Sequence, residues 1–383
     1  MTGIIRAVSH RTDAKEAIAE LAQSFKGQAI RHVLFFCSAQ YELAALEQAI
    51  NRHFNGLNVS GCTTAGEISP DGYCQGSITA IGFPEADFGI SVGCVKELAS
   101  FTPSDARDLI DVLKYDCEQQ RNVPISQGCF AITLIDGLSI QEEQFLVQLN
   151  AALGSCPNFG GSAGDDINLA STHVFHQGRF YQDAAIVLLF STPYEFEVFT
   201  THHCVPTDEK LVVTDADVAS RTVTELDADS PAQIYSQAVG IDLESTCPAQ
   251  FALHPLAVKL GDDYFIRSIQ SVEQENALKF FCAVEAGIVL NVMQRTDLIS
   301  NIESQYRKLE ERLGEPQLII GFDCFLRRLE AEALNIDQQI SNLMVKLGII
   351  GMNTYGEQHQ GMHINQTLTG VAIGKRKRAP ELA

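Results

Sequence analysis

The chain has 383 residues, 45% of them hydrophobic and 20% charged, with a formal net charge of −21 at pH 7. That acidity excludes a nucleic-acid surface, because phosphate binding needs clustered Lys and Arg, and the one basic run, Lys375-Arg376-Lys377-Arg378, reads as a solvated terminus. No apolar stretch reaches the ~18 residues of a membrane span and no charged-then-apolar leader opens the chain, so the expectation is a cytoplasmic protein without membrane insertion, its eleven scattered cysteines reduced.

Apolar periodicity predicts a strand over 32–37, an amphipathic helix over 41–54, a short strand over 59–61, strands over 77–83 and 88–95, and a helix over 106–121. A second round follows, with a strand over 129–135, a helix over 140–153 and strands over 173–175, 185–190 and 196–201. The two rounds share a phrase. Thr64-Ala65-Gly66-Glu67 and Ser162-Ala163-Gly164-Asp165 lie 98 residues apart, and the same offset aligns Val33-Leu34-Phe35-Phe36 with Ala131-Ile132-Thr133-Leu134 and Gly56 with Gly154. Two similar βαβ-type units, near 30–100 and 128–201, are therefore expected, with Ala65 and Ala163 in equivalent turns.

The polar, Asp-rich stretch 207–229 is read as the join to a second α/β domain. That domain is predicted to hold a helix over 231–239, strands over 251–258, 264–269, 279–284 and 288–293, and helices over 297–313 and 325–347 around a strand over 317–323. Strands over 349–355 and 367–373 close it. The expected fold class is α/β, with layered mixed sheets and helix crossovers, divided into residues 1–220 and 221–383.

Gly160-Gly161-Ser162-Ala163-Gly164 has the G-x-S-x-G pattern of a nucleophile elbow, but a strand rather than a helix is predicted after it, so a serine hydrolase has the wrong context. Zinc spacing is equally thin, since His173 and His176 face opposite sides of a strand and Gly361 interrupts His359 and His363. His202 and His203 close the strand that begins near Tyr194, where alternation sends one imidazole to each face. A neutral imidazole beside an apolar cavity is a common ligand of haem iron, although a core histidine with a backbone partner is more frequent. Cys156-Pro157 and Cys247-Pro248 offer thiolates, and Arg267, Arg327 and Arg328 offer guanidinium groups to ligand carboxylates such as haem propionates.

Taken together, Gly61-Cys62-Thr63-Thr64-Ala65-Gly66-Glu67-Ile68, Gly160 to Asp166, Gly321-Phe322-Asp323-Cys324-Phe325-Leu326-Arg327-Arg328 and Asn353-Thr354-Tyr355-Gly356-Glu357 resemble the FIST sensory domains over nearly the whole chain. The stretch from Gly361 to Gly370 adds a likeness to the haem-binding branch of that family. The resemblance implies a sensor of nitric oxide that modulates a histidine kinase, with output to biofilm or cyclic-di-GMP behaviour, and a possible homodimer. It implies non-covalent haem, for which strand position offers His203 or His202 as the axial ligand and the residue reading offers Arg267 and Arg327 to the propionates, with His254, His363 or a Cys-Pro thiolate in reserve. Many FIST proteins carry glycine where this chain has His203, which favours that residue. A second expectation from the same resemblance is a haem-free receptor for a small organic ligand such as an amino acid, clamped by Arg267 and Arg327. The third is the hydrolase using Ser162.

Overall fold

In the computed structural model, which describes residues 3–121, 125, 128–242 and 248–376, one strand-and-helix plan is laid down along the chain in three rounds. The first comprises β1 (Ile5–Ser9), α1 (Ala14–Phe25), β2 (Ile30–Ser38), α2 (Leu43–His53), β3 (Asn58–Thr64), the hairpin β4 (Glu67–Ser69) and β5 (Gly72–Cys74), and β6 (Ile78–Pro84). The second comprises β7 (Gly89–Lys96), α3 (Pro103–Arg121), β8 (Cys129–Ile135), α4 (Glu142–Leu153), β9 (Asn158–Ser162), the hairpin β10 (Val174–His176) and β11 (Arg179–Tyr181), and β12 (Ala184–Ser191).

The third round opens with β13 (Tyr194–Thr201) and is then interrupted. The insertion holds β14 (Cys204–Asp217), β15 (Thr222–Leu226), α5 (Pro231–Val239), α6 (Pro248–Leu253), β16 (Leu256–Leu260), β17 (Asp263–Arg267), β18 (Ile269–Val272), β19 (Leu278–Phe280) and β20 (Val289–Arg295). Its strands form a seven-stranded sheet with its own core around Leu211, Val223, Tyr235 and Leu290. The round resumes with α7 (Leu298–Leu313), β21 (Leu318–Cys324), α8 (Phe325–Ala333), α9 (Asp337–Leu347), β22 (Ile349–Thr354), the hairpin β23 (Glu357–His359) and β24 (Met362–Ile364), and β25 (Leu368–Arg376).

Each round builds a six-stranded sheet, and each lends its hairpin to a neighbour. The strand orders are β1-β6-β2-β3-β10-β11, β7-β12-β8-β9-β23-β24 and β13-β25-β21-β22-β4-β5. Sheet pairing therefore crosses the expected division near residue 220, as in the bond between β13 and β25 and that between β9 and β23. The inner faces of all three sheets meet in one core, where Phe36 contacts Phe322, Phe322 contacts Phe159 and Phe83 contacts Phe190, each edge-on or tilted at 5.1–5.4 Å. Helices cover the outer faces. In α1, Asp13 caps the first turn by accepting from the Lys15 and Glu16 amides, and Ala17, Ile18, Leu21 and Phe25 recur at helical spacing on the buried side. Because β2 is buried on both faces, its sequence reads as an unbroken apolar run rather than an alternation.

Several elements differ from the sequence expectation. The stretch 207–229, read as the join, is largely strand, with Leu211 and Val213 buried in β14 while its polar residues face outward. The strand expected over 251–258 begins only at Leu256, because Pro255 ends the preceding helix α6, and His254 sits in that bend. The single helix expected over 325–347 is two, broken where Asn335 turns left-handed (φ 57°).

Candidate functional site

The turns after β3, β9 and β22 meet where the three sheets converge. Ala65 N donates to Asn353 O (3.0 Å), Ser162 N to Gly356 O (2.8 Å) and Gly164 N to Thr63 O (3.1 Å), so each round is bonded to both others. The shared phrase is not in register, however. Ser162 pairs with Ile135, the counterpart of Cys37, and Cys37 pairs with Thr63, so Ala163 occupies the place of Thr64 rather than that of Ala65. The second round then adds residues before its hairpin, which puts Val174 in the place of Glu67. Asp165 belongs to this added loop, where it accepts from the Ala170 and Ser171 amides and from the Tyr355 hydroxyl.

Two rounds carry a buried carboxyl at this junction. Glu67 accepts from Thr64 Oγ1 (2.6 Å) and from the amide (3.2 Å) and hydroxyl (2.6 Å) of Ser77. Glu357 accepts in the same way from Thr354 Oγ1 and from the amide and hydroxyl of Thr367. Burial pushes both carboxyls up to about 7, partly opposed by these hydrogen bonds. In the second round the corresponding set is Ala163, Val174 and Ala184, all fully buried and apolar.

Beside this junction lies a cleft of about 260 Å³ whose lining includes Tyr73, Arg328, Glu332, Asp337 and Ser341. Arg328 is 4% exposed, and its Nε and Nη1 have no hydrogen-bond partner; Nε lies 3.6 Å from Glu332. Its guanidinium passes directly over Gly66, where a Cβ would lie 2.7 Å from Nη1, and Asn353 Oδ1, also without a partner, borders the same glycine. A buried guanidinium with unused donors costs free energy unless something pairs with it. Carboxylate recognition is the chemistry for which its planar fork is suited.

A buried polar chain runs from this cleft to the inserted sheet. Tyr73, on the cleft wall, donates to Asp323 (2.5 Å), Asp323 accepts from Arg327 Nε (2.6 Å), and Arg327 Nη1 meets His203 Nδ1 (3.1 Å). His203 Nε2 meets both oxygens of Glu330 (2.9 Å), and Arg295, the last residue of β20, donates to Glu330 (3.1 Å). Burial holds the His203 pKa below its ordinary value despite Glu330, so the ring is neutral, with Nδ1 accepting and Nε2 donating. Glu330 is pulled down, its burial outweighed by His203 and Arg295.

Of the residues singled out for haem, His203 and Arg327 come together, 124 positions apart in the chain, but on each other and on protein acids. Neither His202 nor His203 is a strand residue; both lie between β13 and β14. Of the two, His203 is buried and His202 half-buried. With both ring nitrogens engaged, His203 offers no lone pair to iron. His202 Nδ1 accepts from the Cys204 amide (3.3 Å), which leaves the proton on Nε2, opposite to the usual metal-ligating arrangement. Arg267 Nη1 donates to the carbonyls of Ile266 and His363, and His254 stands apart in its bend. None of His202, His203 and His254 lines the Arg328 cleft, the cavity of about 340 Å³ at His32 or that of about 500 Å³ at Thr222. The donor set as arranged does not fit haem. Cys247 lies outside the described residues, and Ser162 is a buried strand end followed by a loop, without the helix of a nucleophile elbow.

Sequence reasoning offered both Arg327 and Arg328 to ligand carboxylates and then chose Arg327 for the clamp. The helical signal was available: 100° per residue separates adjacent side chains, so only one of Arg327 and Arg328 faces Asp323.

The FIST N domain family matches residues 31–229, and the FIST C domain family matches residues 231–360. No curated protein matches the chain. Among solved structures, the chain is similar to a cyanuric acid hydrolase from A. caulinodans, at 10% identity and a TM-score of 0.35, over 98% of this chain and 100% of that one. No helix among the described residues is long and apolar enough to cross a membrane.

Proposed function

This chain belongs to the FIST family, whose domains are sensory and non-catalytic modules, and on that premise we propose that it is a receptor for a small amino-acid-like ligand held at Arg328. The carrying observation is the buried guanidinium on the wall of a cleft, with no hydrogen bond at Nε or Nη1 and only the 3.6 Å ion pair of Nε to Glu332. Arg328 takes the ligand carboxylate, and Glu332 and Asp337 on the same wall suit an ammonium group. At about 260 Å³ the cleft is below the usual ~300–1,000 Å³ of ligand pockets, which restricts the occupant to a small molecule. Asp323 and His203 hold Arg327 away from the ligand, so the clamp drawn from Arg267 and Arg327 is replaced by Arg328 with Glu332 and Asp337 in the same cleft. A histidine kinase is the proposed partner for the signal.

Thermal-shift and calorimetric titration with a panel of α-amino acids and their decarboxylated amines tests this. Carboxylate-bearing members are expected to stabilise the protein, and Arg328→Gln should weaken binding about 10- to 100-fold, the equivalent of ~1.5–3 kcal/mol for a charged hydrogen bond. Equal binding of acids and amines, or no stabilisation at millimolar ligand, would sink the proposal. Nitric oxide sensing through haem rests on the family resemblance alone. A Soret band in protein prepared with haem supply, lost in His202→Ala or His254→Ala, would return it to the front.

A further inference from the structure

We propose a divalent-metal site, of the zinc class, formed by Glu143, Cys282 and His363. A carboxylate oxygen, a thiol sulfur and an imidazole nitrogen lie within 4.8 Å of one another there. They arrive from three parts of the fold: Glu143 from the first turn of α4, His363 from β24 in the hairpin lent by the third round, and Cys282 from the loop after β19 of the inserted sheet.

Several details suit an ion. His363 Nδ1 and Glu143 Oε1 are 3.1 Å apart, close to the edge of a tetrahedron whose metal–nitrogen and metal–oxygen bonds are ~2.0–2.2 Å. His363 Nε2 is buried against Gly356 without a hydrogen-bond partner, and Nδ1 is the nitrogen that faces Glu143. Arg221 holds the other oxygen of Glu143 at 2.5 Å and is itself anchored by Glu142 and the Phe281 carbonyl at 2.6 Å, which orients the ligating oxygen from outside. The Cys282 thiol donates to Asn365 Oδ1 (3.0 Å), while Asn365 Nδ2 has no partner. When the ion binds, the thiol proton leaves to solvent and a turned Asn365 amide donates to the thiolate.

Cys282 and His363 are buried and the Glu143 side chain is 31% exposed, so the ion enters past Glu143, with the fourth position left to water. One mixed sulfur, nitrogen and oxygen donor set of this kind selects zinc or cobalt over magnesium or calcium. The ion would pin the inserted sheet to the three-sheet body at a point where Arg221 already reaches across to α4.

The test uses the full chain, stripped with chelator and titrated with Co²⁺. Expected is a thiolate-to-cobalt charge-transfer band that saturates at one equivalent and is displaced by Zn²⁺. The band is lost in Cys282→Ser, needs about tenfold or more metal in Glu143→Gln, and persists in Cys94→Ser, a cysteine on β7 outside this group. X-ray absorption on the zinc-loaded wild-type protein guards against a variant that fails to fold, and should show one sulfur with nitrogen and oxygen ligands. A folded wild-type protein without a thiolate band, a band unchanged in Cys282→Ser, or a shell with no sulfur or several would overturn the site.

Discussion

Glu67 and Glu357 are carboxyls that the fold prefers uncharged, and this fixes how stability follows pH. Each is raised by burial from the ordinary 4.5 to about 7, so the folded state holds its proton more tightly than the unfolded chain does. That contribution is fully present below pH ~4.5 and is lost as pH rises through about 7, at about 3 kcal/mol for each group. Glutamine reproduces the protonated acid, accepting from Ser77 through its oxygen and donating to Thr64 through its nitrogen, without an ionisable proton. Glu67→Gln is therefore expected to remove about half of the Tm loss that the pair causes between pH 5 and 8. His32, buried and held neutral with its pKa near 3, acts in the opposite sense on acidification and cancels in the difference between wild type and variant. A Tm-versus-pH slope identical in both proteins would refute the assignment. At this scale the sequence disclosed the right residue types in the wrong relations. Val174 and Ala184 show why: whether a round needs its acid is decided by a strand register that a one-residue shift in β9 rewrites.

At the scale of elements, the close approach of the three turns depends on residues without side chains. A Cβ on Gly164 would stand 2.6 Å from the Ala65 amide nitrogen, which is backbone and cannot move aside. Gly154, at the C-terminus of α4 with φ 64°, has nothing within 4 Å of a Cβ, so its cost is conformational alone. Gly164→Ala should lower stability by about 1–3 kcal/mol through overpacking, against about 1 kcal/mol for Gly154→Ala, with chemical denaturation as the measure. Equal costs would show that the junction is looser than this geometry. Most helices and central strands were legible from periodicity, because α1, α2 and α7 have one apolar stripe each and β2, β8, β12 and β21 are apolar runs buried on both faces. Of the three hairpins only β10, expected over 173–175, was legible, since strands of three residues with polar turns leave too short a pattern to read. Their exchange between rounds is a long-range pairing that no local signal encodes.

At the scale of the molecule, the Arg328 cleft and the inserted sheet are joined by the chain of Tyr73, Asp323, Arg327, His203, Glu330 and Arg295. Each charge in the middle of it is buried and hydrogen-bonded to the next, with Arg327 Nη2 alone left without a partner, so the chain resists partial rearrangement and shifts as a unit. Tyr73 both lines the cleft and donates to Asp323, which makes it the point where a ligand would act. A ligand that orders Tyr73 is expected to slow amide exchange in β20 and β14, with a coupling of about 1–3 kcal/mol if it resembles other linked sites. Tyr73→Phe keeps the ring on the cleft wall and removes only the hydroxyl bond to Asp323. Ligand affinity at Arg328 should then change by less than about tenfold, while the ligand-dependent protection of β20 disappears. Protection of β20 that survives in Tyr73→Phe would mean that the signal reaches the inserted sheet by another route. Loss of binding itself would place Tyr73 in the ligand contact rather than in the relay.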